Sequence, residues 1–479
     1  MNPSLYLVDA WIHYIQASFI PGSVLLALAV FSLAIRRIFF HPLSKFPGPW
    51  LAAVTSMYKT YYEVVEGGEL LHTIHRLHAM HGSVIRIGPN ELHFNDPAAY
   101  HEIYSVGSRL TKDPSFYFCF NASDSAFGVI DPNESKARRG AMHPFFSRRA
   151  VLELENIIEL LVHKLGKRGE NPANMFLAFR SATLDVITSY MFGHCLDALD
   201  HPDFSAPLLL SIQDALPLLW LIKSFPWMIY FLQLVPDQLQ WRITNQFRAF
   251  LEIRTFIITW LDRASREVHD SSEPGTPTIC HRFFDNLTTE SQTVAHPKAF
   301  IDESLSLLQA GSDTVGNVCT VGTFFVLNDK TVLSRLREEL EAVWPDQDDS
   351  IDLRVLQNLP YLTAIVKESL RLSHGFVTPL PRIVGPSGAT IAGHHIPPTT
   401  TVGMSVTAVH MSPSVFENPD LFIPERWLGK AQNLDRFLVA FSKGPRMCLG
   451  MRRLELEIVE TRSGKPTFQY ILLISSQYR

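Results

Sequence analysis

Five cysteines are scattered along the chain, and Cys448 has the surroundings of a reactive one. It lies in the run Phe441-Ser442-Lys443-Gly444-Pro445-Arg446-Met447-Cys448-Leu449-Gly450. A lone cysteine is most often a small buried hydrophobe. Here glycines and cations surround it. Gly444 and Gly450 permit sharp bends and the close approach of a flat ligand. Arg446 and nearby backbone amides favour thiolate over thiol. An arginine two residues from a ligating sulfur can also reach a carboxylate carried by the ligand. The combination suits a haem iron held by sulfur, with Arg446 on a haem propionate.

A second constellation is Glu368-Ser369-Leu370-Arg371. Residues three apart share a helix face, so Glu368 and Arg371 can pair. On the surface such a pair contributes little. A third is Ala310-Gly311-Ser312-Asp313-Thr314. It reads either as ordinary core helix or as a functional break, because Gly311, Asp313 and Thr314 are poor helix formers inside an apolar run. A threonine hydroxyl that bonds back to a carbonyl opens the helix locally. Other patterns carry less. His72, His75, His78 and His81 spiral round a helix in steps of about 60° and do not gather on one face, which reads as a solvated helix. Asn121-Ala122-Ser123, Asn133-Glu134-Ser135 and Asn286-Leu287-Thr288 are glycosylation sequons that the cytosolic side of a membrane leaves unused. No glycine-rich nucleotide loop and no G-x-S-x-G elbow occurs.

These residues need a scaffold. The chain has 479 residues, 46% hydrophobic and 19% charged, with a net charge of -5. That is globular composition, long enough for two or three average domains or one large enzyme domain. The acidic balance argues against a nucleic-acid partner. The scattered cysteines argue against a disulfide framework. Residues 10–35 contain no Asp, Glu, Lys or Arg, and a spanning helix needs roughly 20 apolar residues. Asp9 precedes the run while Arg36, Arg37 and Lys45 follow it. A signal peptide wants positive charge first. The flanks therefore predict a retained anchor with its N-terminus in the lumen and the body cytosolic. Phe46-Pro47-Gly48-Pro49-Trp50 reads as a semi-rigid hinge after it. In the body, residues 84–94 read as a strand-turn-strand with Gly88-Pro89-Asn90 at the turn. Helical periodicity marks 149–165, 175–192, 240–268, 298–327, 332–343 and 355–372, and short apolar runs in 383–404 suggest a small sheet. Residues 270–277 read as a polar loop. The expected class is mainly α with a small β part.

The pattern F-x-x-G-x-R-x-C-x-G is matched at every fixed position by Phe441, Gly444, Arg446, Cys448 and Gly450. With Ala310 to Thr314, E-x-x-R at Glu368 and Arg371, Pro424-Glu425-Arg426-Trp427, and His143-Pro144-Phe145-Phe146-Ser147, the sequence resembles the cytochrome P450 family. It is similar in particular to fungal microsomal members of the trichodiene oxygenase kind. The resemblance implies a cytochrome P450 fold preceded by one N-terminal transmembrane helix. Its divisions are an anchor at 1–40, a Pro-rich hinge at 41–50, a haem domain at 51–457 and a divergent tail at 458–479.

The resemblance further implies haem b with Cys448 as axial thiolate. Arg446, Arg382 and Arg139 become propionate partners. The aromatic or His of the family's W-x-x-x-R falls at Ser135, and Arg138 competes with Arg139 for that role. Glu368, Arg371 and Arg426 become a buried scaffold cluster. Thr314 hydrogen-bonds oxygen and Asp313 relays protons. The implied activity is a monooxygenase that oxidises an apolar small molecule, a secondary metabolite such as a terpenoid, at the endoplasmic reticulum membrane. Residues 204–235, rich in Leu, Ile, Phe and Trp, correspond to mobile helices over the pocket. Electrons come from NADPH through NADPH–cytochrome P450 reductase, and Lys443, Arg446, Arg452 and Arg453 offer it a basic face. After Glu457 the pattern departs from the family, which predicts a truncated or misread C-terminus. An inert, haem-binding or unstable relic is the competing reading.

Overall fold

A computed structural model describes residues 24–147, 174–228, 234–236, 239, 244–270, 278–280, 297–345, 353–429 and 434–451. The first part of the expected anchor, the 149–165 helix, most of the 270–277 loop, Arg452, Arg453 and the 458–479 tail lie outside the described residues.

In chain order the elements are α1 (24–39), α2 (Leu70–His81), β1 (Val84–Gly88), β2 (Glu91–Phe94), α3 (Pro97–Tyr104), β3 (Thr111–Lys112), α4 (Pro132–Met142), α5 (Met175–Phe192), α6 (Pro207–Ser224), α7 (Asn245–Asp270), α8 (Pro297–Asn328), α9 (Lys330–Val343), α10 (Pro360–Leu372), β4 (Arg382–Ile383), β5 (Ala389–Ile391), β6 (His394–Ile396) and β7 (Thr401–Gly403). The chain is mainly helical with a small β part, as its periodicity predicts. One expected helix differs. The 355–372 pattern divides into Leu353–Gln357 and α10, because Pro360 restarts the helix at its first turn. No side chain of its own caps α10. The Glu339 carboxylate of α9 accepts from Tyr361 N at 2.7 Å and Leu362 N at 2.8 Å instead.

Two compact units form. One comprises residues up to Asn95 with Val384–Gly403. Its β1 and β2 pair antiparallel, β7 joins β2 in parallel, and β5 pairs with β6. The hinge region is packed here: Leu43 and Phe46 are buried, and Arg86 N donates to Pro47 O at 2.7 Å. A Cβ on Gly48 would lie 2.3 Å from Arg86 O, so the chain passes there only as glycine. The His72–His81 helix is not the solvated one its polarity suggests. Leu70, Thr73, Ile74, Leu77 and His78 form a buried stripe, and His78 Nε2 meets His93 Nδ1 at 2.7 Å. The reason is strand β2, which presents His93 as an apolar-face partner no helical wheel reveals.

The second unit comprises Asp96–Ile383 and residues from Met404 on. Its core includes Phe179, Ile187, Ile257, Leu308, Val318, Leu362 and Ile365. Each such side chain contributes about 1.5–3 kcal/mol by leaving water. Helix α5 starts on Asn174, whose side chain accepts from Phe176 N and Leu177 N, and stops at Gly193 with φ 81°. It lies against α8 at two glycines. A Cβ on Gly311 would sit 2.9 Å from Ile187 Cγ1, and one on Gly316 2.8 Å from Arg180 Cγ. Among the described residues, Pro202–Ser224 is long and apolar enough to cross a membrane, and one side of it, with Leu209 and Ile212, packs into this core.

Candidate active site

The cysteine loop is built by its own backbone. Cys448 N donates to Phe441 O at 2.9 Å and Met447 N to Gly444 O at 3.1 Å. Gly444 has φ 70°, and a Cβ there would lie 2.3 Å from Tyr104 O. Gly450 is less constrained: a Cβ would stand 3.8 Å from Cys448 Sγ, an ordinary contact. Phe441 packs on the main core. Cys448 presents exposed area, while the protein crowding its thiol pushes the pKa up by desolvation. Amide donors from Gly450 and Met451 and the charge of Arg139 oppose that rise.

Beside the loop stands a cluster of cations. Lys112 and Arg382 are direct partners across the antiparallel β3–β4 ribbon, and each is 4% exposed. Opposed like charges are destabilising. Tyr117 separates them: Arg382 Nη1 donates to Tyr117 Oη at 2.7 Å, and Lys112 Nζ lies 4.3 Å from the ring centroid. Burial first, and then Arg446, Arg382 and Arg139, push the Lys112 pKa down to about 6. Arg446 Nη1 donates to Val129 O at 3.0 Å and Nη2 to Ile130 O at 2.9 Å, and Nη1 also reaches Ser135 Oγ. Burial, followed by Arg382 and Arg139, lowers the Arg446 pKa to about 10. Arg139 Nη2 donates to Met447 O at 2.5 Å. Its neighbour Arg138 turns the other way, to Glu134 and Asp124 O, so Arg139 is the one of the two at the cysteine loop. Among the described residues no carboxylate forms an ion pair with Lys112, Arg139, Arg382 or Arg446. Three guanidinium groups without an anionic partner, with the Lys112 amine among them, fit a ligand that carries two carboxylates.

The acid of the E-x-x-R helix is fully buried and fully engaged. Glu368 Oε2 accepts from Arg371 Nε and Trp427 Nε1, each at 2.9 Å. Its Oε1 accepts from Arg371 Nη2 at 2.8 Å, Ile423 N at 2.9 Å and Arg426 Nε at 3.0 Å. Arg371 also donates to the carbonyls of His410, Pro419 and Leu421. Arg426 reaches those of Glu417 and Asn418. Sequence reasoning missed His410. Its Nε2 accepts from Val439 N at 2.9 Å, so the proton is on Nδ1, which donates to Arg371 O at 3.1 Å. His410 therefore couples α10 to the segment that leads into Phe441.

In α8, Thr314 Oγ1 donates to Ala310 O at 2.8 Å, the back-bond its position predicts. Ala310 is exposed in the middle of a helix whose flanks are core, which marks an open space beside it. Asp313 does not point to that bond. Its Oδ1 accepts from Arg180 Nε of α5 at 2.5 Å. Glu303, three turns before Thr314 and near the same face, accepts from Ala126 N at 2.7 Å. Burial raises its pKa to about 7, against the pull of that amide and of Arg138. Lys112, Glu303 and Arg180 belong to no motif. Only the polar breaks they make in apolar runs could have flagged them.

A family model described as cytochrome P450 matches residues 49–459. The cytochrome P450 monooxygenase macH of Penicillium terrestre is 34% identical over 440 residues, covering 89% of this chain and 86% of that protein. The tryptophan 6-hydroxylase fscE of Fusarium equiseti is 35% identical over 453 residues, 92% of this chain and 88% of its own. The cytochrome P450 monooxygenase BOT1 of Botryotinia fuckeliana is 33% identical over 469 residues, 95% and 89% respectively.

Proposed function

The chain belongs to the cytochrome P450 family, monooxygenases whose haem iron is bound by a cysteine thiolate, and from that premise we propose that it holds haem b on Cys448 and oxidises an apolar small molecule. The observation that carries the site assignment is the cluster of buried Lys112 and Arg382 with half-buried Arg139 and Arg446 beside the Cys448 loop, with no carboxylate paired to any of them among the described residues. Arg139, Arg382, Arg446 and Lys112 bind the two propionates. Lys112, with a pKa of about 6 in the structure, offers a further N–H donor and gains its proton once a carboxylate lies beside it. Bound haem supplies the activation of dioxygen and the transfer of one oxygen atom to substrate. The protein's own residues do the rest. Amides of Gly450 and Met451 hold negative charge on Sγ. The Thr314 hydroxyl stands at the open space beside Ala310; with its proton on Ala310 O, its oxygen is left to accept a hydrogen bond there. Asp313 brings protons from the solvent side, because cleavage of the O–O bond needs two of them. Phe441, Gly444 and Gly450 shape the loop that lets a flat ring approach.

The substrate belongs with secondary metabolites such as terpenoids. An aromatic substrate also falls in the proposed class, since a tryptophan 6-hydroxylase is among the relatives. Electrons come from NADPH through NADPH–cytochrome P450 reductase, which docks on the basic face around Lys443. The 1–40 segment anchors the 51–457 domain to the endoplasmic reticulum membrane, with the body cytosolic. Support for the anchor comes from α1, where Val24, Leu25, Leu26, Leu28, Val30 and Phe31 all face outward and lack protein cover. A bilayer removes that surface from water.

The test needs no substrate. The chain is expressed as written, reduced and exposed to carbon monoxide, and the difference spectrum is recorded. A strongly red-shifted Soret band is expected, and Cys448→Ser should abolish it. A short-wavelength band in the unsubstituted protein, or no haem at all, overturns the assignment of Cys448.

A further inference from the structure

The oxygen-activating stretch of α8 is held from outside by two residues of α5 that no motif includes. Arg180 and Thr183 lie one turn apart and face α8 together. Thr183 Oγ1 donates to Ser312 O at 2.6 Å, so a backbone carbonyl within Ala310 to Thr314 is fastened to the neighbouring helix. Arg180 Nε donates to Asp313 Oδ1 at 2.5 Å. The two partners differ in surroundings. The Arg180 side chain is 4% exposed and that of Asp313 43% exposed. Arg180 is itself immobilised: its guanidinium carbon lies 3.5 Å from the Phe176 ring centroid, Nη1 donates to Phe176 O at 3.3 Å, and its stem fills the space over Gly316. A fixed buried cation therefore sets where a half-exposed carboxylate sits. Successive helix residues point about 100° apart, so Asp313 faces α5 while Thr314 turns back onto Ala310 O on the adjoining face of α8.

We infer that Arg180 is the positioning residue of proton delivery: it fixes the Asp313 carboxylate at the solvent-side end of the path to Thr314, and Thr183 fixes the intervening backbone. This rests on the reading of Asp313 as proton relay. Two reactions compete for dioxygen when no substrate is bound. In one, NADPH, a proton and dioxygen give NADP+ and hydrogen peroxide. In the other, two NADPH, two protons and one dioxygen give two NADP+ and two water molecules. The second requires cleavage of the O–O bond and hence ordered protonation of one oxygen. Losing the position of a general acid is worth on the order of tenfold or more in rate.

The experiment uses the full-length holoenzyme with its reductase and NADPH, without added substrate, and reads peroxide formed per NADPH consumed. Arg180→Gln and Asp313→Asn are each expected to lower the ratio of water-forming to peroxide-forming turnover on the order of tenfold. The double variant should be no worse than either single one, because the pair acts as a unit. Arg180→Lys should restore part of the ratio, as a purely packing role would not. A readout independent of turnover is the infrared carboxylate band of 13C-labelled aspartate in the resting protein, isolated by subtracting Asp313→Asn. It should shift in Arg180→Gln. If Asp313→Asn leaves the ratio unchanged, the relay reading itself fails. If Asp313→Asn moves the ratio while Arg180→Gln, with normal haem content, moves neither ratio nor band, only the inference about Arg180 is overturned. Should Arg180→Gln lose its haem, Arg180→Met, which keeps a stem over Gly316 without the charge, decides: normal haem content with an unchanged band and ratio there overturns the inference.

Discussion

Glu368→Ala tests the scaffold on which the haem loop depends. The substitution removes an acceptor of five hydrogen bonds, from Arg371 twice and from Arg426, Trp427 and Ile423 once each. Arg371 is 0% exposed and would keep no anionic partner, only the carbonyls of His410, Pro419 and Leu421, the Met411 sulfur and the Phe416 ring. Breaking a buried charge pair by deleting one member costs about 3–5 kcal/mol. A typical domain holds about 5–15 kcal/mol in total. The variant therefore loses about a fifth of its stability or more, and the loss falls where the Cys448 segment attaches. Arg371 O receives the His410 proton, and His410 receives Val439 N, so disorder in α10 reaches the loop through two hydrogen bonds. Haem content per protein, from the reduced carbon monoxide spectrum against amino-acid analysis, should fall to near zero. Glu368→Gln keeps the shape and one acceptor and should fall between alanine and the unsubstituted protein. Haem content and urea midpoint equal to the unsubstituted protein in Glu368→Ala would refute the reasoning outright.

Three more outcomes follow from single groups. His410 has a folded pKa lowered to about 3 by burial, below the ordinary 6.5, so the folded state refuses a proton that the unfolded chain accepts. Its contribution is complete above pH 6.5 and is lost as pH falls toward 3, about 2 kcal/mol of it by pH 5, and His410→Gln should flatten the urea midpoint between pH 7 and 5. Glu303 has the opposite sign: with a folded pKa raised to about 7 from 4.5, ionisation opposes folding as pH rises through that window. Glu303→Gln should raise the urea midpoint at pH 8, by an amount on the order of 3 kcal/mol, and change little at pH 4. Thr314→Ala should consume NADPH while releasing peroxide in place of product, and unchanged coupling would count against its role.

The residues that chemistry forces into fixed types at short spacing were readable from the chain alone. Cys448, Arg446 and Gly444 lie within one loop, and Glu368 and Arg371 within one helical turn, so their relation survives without a structure. What escaped depends on pairs far apart in the chain. Lys112 becomes part of a cationic site only because β3 pairs with β4 and sets it opposite Arg382. His410 reads as a stray polar residue until Arg371 and Val439 are brought to its two nitrogens. The choice between Arg138 and Arg139 could not be made from spacing, since adjacent helix positions point about 100° apart and either can face the loop. His78 shows the same limit in reverse: a helical wheel judged it solvated because its partner, His93, lies on a strand. The failures share a cause. A polar residue in an apolar surround is expensive unless satisfied, so each buried one must have a partner, but the chain does not say which. The cation cluster extends that logic past the protein itself. Burial and the neighbouring guanidinium groups drive the Lys112 pKa down to about 6, which relieves its opposition to Arg382, and among the described residues no carboxylate pairs with either. A ligand carrying two carboxylates beside Cys448, as proposed, would supply the anionic partners that Arg139, Arg382 and Arg446 do not have among the described residues.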